Sequence, residues 1–347
     1  MRILTIGLAL ATLGVGCGGG NSTPDAGDPC ATLATTFNAA LDRALVDHPN
    51  NGGWILAVDA RALGVSFRGA SGAGVAADGT LRIASVTKTF VAAAILRLSE
   101  RGDVALADPV AAAVPAPYPD LLAGDGYDVA AMTVAHLLTH DAGLYDYAQD
   151  AAYQAAVQAD PSRTWTREDQ VRWAIDHGDP LAAPGETFAY SDTGYVLLGA
   201  ILETRTSASI GAALRDLLGL DGLGLLATWQ EGVEPVPADA PPRAPQRYGG
   251  FPVEQIDASI DLWGGGGLVS NADDLVGFYR ALFAGNVVAA ASLSTMTTVP
   301  APNVDAGAAM GLFRVEVDGV ACWGNNGFWG ITVLACPDFE VVIAGMD

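Results

Sequence analysis

Two periodicities divide the chain. Apolar residues recur at helical spacing through ATLATTFNAALDRALVDHP (31–49), which predicts one amphipathic helix ending near Pro49. Apolar and polar residues then alternate through GWILAVDARALGVSFRGASG (53–72), the pattern of an antiparallel hairpin. From Ser85 to about Arg101 the pattern is helical and alanine-rich, and helical segments such as AAMTVAHLLTHDAGL and TREDQVRWAIDHG follow with loops between them. A proline-rich stretch, EGVEPVPADAPPRAPQRYGGFP, separates them from a tail rich in β-branched residues, GLFRVEVDGVACWGNNGFWGITVLACPDFEVVIAG.

Strands therefore sit at both ends and helices between them. The simplest architecture is an α+β fold: one antiparallel sheet flanked by helices and built from both termini, a mainly helical domain inserted into it, and a cleft where the two meet. Residues 31–84 and 245–347 are assigned to the sheet domain, and 85–244 to the helical domain with its linker.

Residues 3–13 form an apolar run behind one early positive charge, too short to span a bilayer. They predict a secretory signal over 1–16 and a flexible tether over 17–30. Small residues ahead of Cys17, followed by GGGNSTPDAGDP, resemble a bacterial lipoprotein signal, so Cys17 is a candidate lipid attachment point and ordinary secretion is the alternative. An exported protein meets an oxidising compartment. Cys322 and Cys336 flank WGNNGFWG at equal distance from Trp329, so they are expected to pair across a hairpin, with Cys30 the odd thiol.

Fifty per cent hydrophobic residues among 347 are enough for a large core. The net charge of −22 repels phosphate backbones and anionic lipid, so nucleic acid is not an expected partner, and membrane contact is expected only through the N-terminal anchor. Of 17 Lys and Arg residues only Lys88 is a lysine. It stands three residues after Ser85 in IASVTKTFVAAAIL, at the head of a predicted helix and on the same face. A serine hydroxyl needs a base, and lysine can act as one when burial, cationic neighbours or a helix N-terminus lower its pKa; arginine cannot.

Further motifs follow in order: LLTHDAGL, PGETFAYSDTGYVLLGAIL, WGGGGLVSNADDLVGFYRAL and GNNGFWGITVLACPDFEVVIAG. With the Ser-x-x-Lys stretch they resemble the serine β-lactamase and D-Ala-D-Ala carboxypeptidase family, in its class C-like branch with esterases and aminopeptidases, from about residue 40 onward. The resemblance implies a β-lactamase-like fold, no cofactor and an acyl-enzyme mechanism. It makes Ser85 the nucleophile, Lys88 its activating amine and Tyr190 the proton shuttle, with the Ser85 and Phe328 amides as oxyanion hole. Asp192, Asn325, Asn326 and Gly327 fall at substrate-binding positions.

Two positions depart from the family pattern. Asp192 stands where the motif usually has Asn, and Asn325 where it usually begins with Lys or His. Both changes are expected to weaken binding of carboxylate-bearing β-lactams and peptides and to favour neutral esters or amides. The expected substrates are D-Ala-D-Ala-like peptides, β-lactams or related amides and esters. The rival is a weakened relative that serves as a surface binding module. Relatives usually add a C-terminal helix across the sheet, so the helix near 31–48 is expected to cover that face with less help.

His136 and His140 are four apart, but no Glu follows the first as in a zinc protease, and the family places a structural His at the second, so no metal site is expected. The glycines at 264–267 are read as flexible backbone beside the site, and Trp263, Phe328 and Trp329 as walls of an apolar acyl pocket. A monomer is expected.

Overall fold

The computed structural model describes residues 29–47, 52–248 and 251–346. Cys17 and the signal and tether before residue 29 lie outside them. The first helix, α1 (Pro29–Asp47), takes in Cys30, which the reading assigned to the tether.

The alternating segment folds as the hairpin β1 (Trp54–Ala60) and β2 (Val65–Ser71). A short strand, β3 (Leu81–Arg82), leads into helix α2 (Thr87–Arg101). The helical middle comprises α3 (Val110–Ala113), α4 (Tyr118–Gly124), α5 (Val134–Thr139), α6 (Ala151–Ala159), α7 (Arg167–His177), α8 (Asp192–Thr206) and α9 (Ile210–Leu218). Short strands β4 (Trp229–Gln230), β5 (Arg247–Tyr248), β6 (Phe251–Pro252) and β7 (Leu268–Ser270) lead to α10 (Ala272–Phe283) and α11 (Ala290–Met296). The tail forms β8 (Phe313–Val317), β9 (Val320–Gly327), β10 (Ile331–Cys336) and β11 (Val341–Met346).

β11 pairs with β1, so the two ends of the chain close one six-stranded antiparallel sheet in the order β2-β1-β11-β10-β9-β8. Strand alternation gives each face its own core. Trp54, Leu56, Val58, Leu334 and Ile343 point to one side, where Leu33, Phe37 and Leu41 of α1 cover them. Ile55, Ala57, Val333 and Ala344 point to the other and join the larger core around α2 and α8. Cys322 of β9 and Cys336 of β10 form a disulfide within the α1-side cluster.

Helix α2 is buried on every side from Thr87 to Leu96, which explains its alanines. Ala92, Ala93 and Ala94 have no exposed surface and let neighbouring segments approach closely. A second sheet, β3-β7-β4, ties the strand entering α2 to the strand leaving the glycine run, so residues 85 and 265 are fixed from one small platform.

Candidate active site

Ser85 sits in a 3-10 turn, Ala84–Val86, between β3 and α2. Ala84 has φ +43°, a backbone conformation that costs a non-glycine residue about 1–3 kcal/mol and is characteristic of functional turns. The bend puts Ser85 at the surface of the cleft: it is the only residue from 80 to 96 that is not buried.

Lys88, one turn on, is wholly buried. Its ammonium donates to Ser85 Oγ at 2.9 Å, to Gly265 O at 2.6 Å and to Asp192 Oδ1. Three acceptors for three N–H bonds suit the charged form. Burial acts to lower the pKa of Lys88, but the Asp192 carboxylate and the Tyr190 hydroxyl more than offset it and hold the amine above the ordinary lysine range. This differs from the sequence expectation of a depressed, neutral amine. The physical reason is Asp192: an anion now lies against the lysine where the family has an amide.

Tyr190 Oη lies 2.8 Å from Ser85 Oγ, to which it donates. Burial and the charge of Asp192 push its pKa up to about 12 against the opposing pull of Lys88, so it is a neutral phenol near pH 7. Its ring stacks on His140 with centroids 4.4 Å apart. His140 takes φ +60° after α5, and its Nδ1 accepts the Ser191 N–H. Burial, then the charge of Lys88, pushes its pKa down to about 3, so it is a neutral plate that positions Tyr190. His136 faces elsewhere, with Nδ1 accepting the Thr133 N–H at the start of α5. Among the described residues no group of three or more His, Cys, Asp or Glu side chains is placed to hold a metal.

Asp192 opens α8, and its N–H donates to Asp146 Oδ1 at 3.1 Å. Burial, then the charge of Asp192, pushes Asp146 up to about 7. Burial and the same charge raise Asp261 to about 6, with Arg82 opposing. Neither residue was singled out in the sequence, because their spacings of 46 and 69 residues from Asp192 carry no local signal.

The glycine run is close-packed, which corrects the reading of it as flexible. A Cβ at Gly265 would lie 2.5 Å from Asp192 Oδ1, and one at Gly264 would lie 2.3 Å from Tyr195 O. These positions need glycine because a carboxylate and a helix backbone fill the space.

At the other wall, a Cβ at Gly327 would lie 2.3 Å from Ile83 O, so β9 presses directly against the segment that carries Ser85. Gln246, only 3% exposed, joins these two pieces. Its Oε1 accepts the Arg82 N–H at 2.7 Å, and its Nε2 donates to Arg82 O at 3.0 Å and to Trp329 O at 3.2 Å. It thereby fixes the chain three residues before Ser85 to the residue after Phe328. The sequence reading missed it, since a lone glutamine in a proline-rich stretch has no motif.

Asn325 and Asn326 were expected to meet substrate, and the strand directs them otherwise. Asn325 is 5% exposed, and its amide is spent on Gly311 O and the Asn326 N–H. Asn326 points to the opposite sheet face, where its Oδ1 accepts from Thr332 Oγ1. Phe328 and Trp329 line a cavity. Trp263 does not: its indole N–H donates to Trp165 O, and its ring packs against Arg167.

An antiparallel sheet closed by both chain ends, with a serine, a buried lysine and a tyrosine meeting beside one of its strands, is the arrangement of a serine hydrolase family. The Beta-lactamase family model matches residues 52–346, and the chain belongs to that family. Esterase EstB of Burkholderia gladioli is 34% identical over 208 residues, covering 56% of this chain and 51% of the esterase. Penicillin-binding protein 4* of Bacillus subtilis is 30% identical over 128 residues, 37% of this chain and 25% of that protein. The matches thus span about half of the esterase and a quarter of the penicillin-binding protein. Among solved structures, a D-stereospecific amidohydrolase from Streptomyces sp. superposes with a TM-score of 0.77 and 28% identity, covering 90% of this chain and 93% of the other. A D-amino acid amidase from Ochrobactrum anthropi SV3 gives 0.72 and 25%, covering 89% and 91%.

Proposed function

We propose that the protein hydrolyses neutral esters or amides through an acyl-enzyme on Ser85. The observation that carries this is the position of Ser85 Oγ, 2.8 Å from Tyr190 Oη and 2.9 Å from Lys88 Nζ. Ser85 Oγ attacks the carbonyl carbon while Tyr190 takes its proton and passes its own to the leaving oxygen or nitrogen. Lys88, kept charged by Asp192, donates to Ser85 Oγ and favours the loss of its proton to Tyr190. The Ser85 and Phe328 amides serve as oxyanion hole; in this kind of chemistry one such donor is worth about 2.7–4 kcal/mol. Water then cleaves the acyl-enzyme, returns a proton to Ser85 and releases the acid.

Substrates without a free carboxylate are favoured because the position that carries a cation in relatives holds Asn325, whose amide is already spent. The names of the relatives, esterase and amidohydrolase, support the same class. Export is part of the proposal, with Cys17 as lipid attachment point. The test compares p-nitrophenyl butyrate with a chromogenic cephalosporin, using native protein and Ser85→Ala. Ser85-dependent turnover of the ester above the cephalosporin supports the reading. Preference for the cephalosporin favours β-lactams or D-Ala-D-Ala-like peptides, and no Ser85-dependent turnover of either favours a binding module.

A further inference from the structure

Phe328 has two faces of interest. Its amide belongs to the proposed oxyanion hole, and its ring, 53% exposed, forms a wall of a cavity of about 390 Å³. Val157 of α6, Ile256, Ile260, Tyr248 and Trp329 supply the other principal walls, and among the described residues no charged side chain lines the cavity. The volume lies at the small end of ligand sites, the size for a single ring or a branched alkyl group with its linker. In a protein of net charge −22, an apolar concavity walled by the residue of the proposed oxyanion hole is a selective feature.

The walls are held in place. The rings of Tyr248, Phe328 and Trp329 form one cluster, with Tyr248 4.8 Å from Phe328 and Phe328 4.8 Å from Trp329. The Ile260 carbonyl accepts from Gln170 Nε2 at 2.8 Å and Tyr153 Oη at 3.1 Å, and Asp257 N–H donates to Pro161 O at 2.8 Å. Gln246 fixes Trp329 O to the strand before Ser85. A pocket so braced is available without rearrangement, which lowers the cost of binding.

Its side of the reacting carbonyl follows from the proton path. The leaving group must reach Tyr190, whose ring neighbours are His140 and Phe313, and neither lines the cavity. The group that leaves and the group that stays depart from the carbonyl carbon in different directions. We propose that the cavity receives the acyl side of the substrate and selects an uncharged aromatic or branched apolar substituent, such as a benzyl group one or two carbons from the carbonyl. This deepens the acyl-enzyme reading and rests on it.

The experiment compares kcat/KM for p-nitrophenyl 3-phenylpropionate and p-nitrophenyl acetate in native protein, Val157→Phe, which fills the cavity, and Ile260→Ala, which enlarges it. Native protein is expected to prefer the phenyl ester by about tenfold or more, as one buried apolar group can discriminate. Val157→Phe should remove most of that preference by lowering kcat/KM for the phenyl ester at least about fivefold more than for acetate, and Ile260→Ala should move the preference toward a naphthyl homologue. A preference that neither variant moves overturns the pocket and leaves the acyl-enzyme reading standing. If neither ester shows Ser85-dependent turnover, that reading fails, and calorimetry with 3-phenylpropanamide decides the pocket. Binding weakened about tenfold by Val157→Phe supports it, and no binding to native protein overturns it.

Discussion

Lys88 and Asp192 form a buried ion pair against Ser85, one at the start of α2 and the other at the start of α8. Two segments 104 residues apart in sequence therefore meet beside Ser85. The pair sets what the lysine can do.

Asp192→Asn removes the anion and leaves burial, which lowers the pKa of Lys88, much less opposed. With the native pKa raised, the stabilisation from the pair is complete below the ordinary lysine value and is lost only as pH rises beyond it. In the variant that loss begins at lower pH. Because the proposed chemistry uses the ammonium form, the basic limb of the kcat/KM profile should move down by at least about one pH unit. A shift of the acid limb instead, with faster turnover at neutral pH, would show that Lys88 acts as a neutral base.

Gln246→Leu keeps the volume of the side chain and deletes its three hydrogen bonds to Arg82 and Trp329. Stranded buried backbone groups cost about 1–3 kcal/mol each, so thermal stability should fall. At a temperature where the variant is folded, kcat should drop by about tenfold to a hundredfold with KM little changed, since the serine and the second oxyanion amide lose their common tie. A purely structural glutamine would lower the melting temperature and leave kcat alone.

Gly265→Ala places a methyl group 2.5 Å from Asp192 Oδ1, a distance at which one of them must move. The variant should fold, because the clash is with a side chain, and should lose at least about a hundredfold in kcat through the displaced ion pair. Native-like circular dichroism with near-native turnover would contradict the packing described for the glycine run.

The Cys322–Cys336 disulfide closes a loop with a sequence separation of 14 in the cluster beneath α1, on the sheet face away from Ser85. Its removal by a double Cys→Ser substitution should cost about 3 kcal/mol of stability and leave kcat/KM at 25 °C within about twofold. Denaturant unfolding and ester turnover, measured on the same preparation, check both parts.

What the sequence made legible was local. Hydrophobic period distinguished the β1–β2 hairpin from the alanine-rich α2, and spacing within one helical turn brought Ser85 and Lys88 together. The family resemblance added Tyr190, which meets Ser85. Contacts between distant segments were not legible: Gln246 reaches Arg82 across 164 residues, and Asp146 reaches the amide of Asp192 across 46. The glycine run was misread for a related reason. In sequence, four glycines signify freedom, whereas here they record how closely Asp192, Tyr195 and Leu262 approach. The direction of Asn326 turned on strand register, which places successive side chains on opposite faces.

The central claim is that Ser85 carries the acyl group. Peptide mass mapping after rapid acid quenching of native protein with p-nitrophenyl butyrate tests it most directly. The account predicts one butyryl group, confined to the peptide that contains Ser85, and neither adduct nor turnover with Ser85→Ala. Turnover that survives in Ser85→Ala, or an acyl group on another residue, would contradict it.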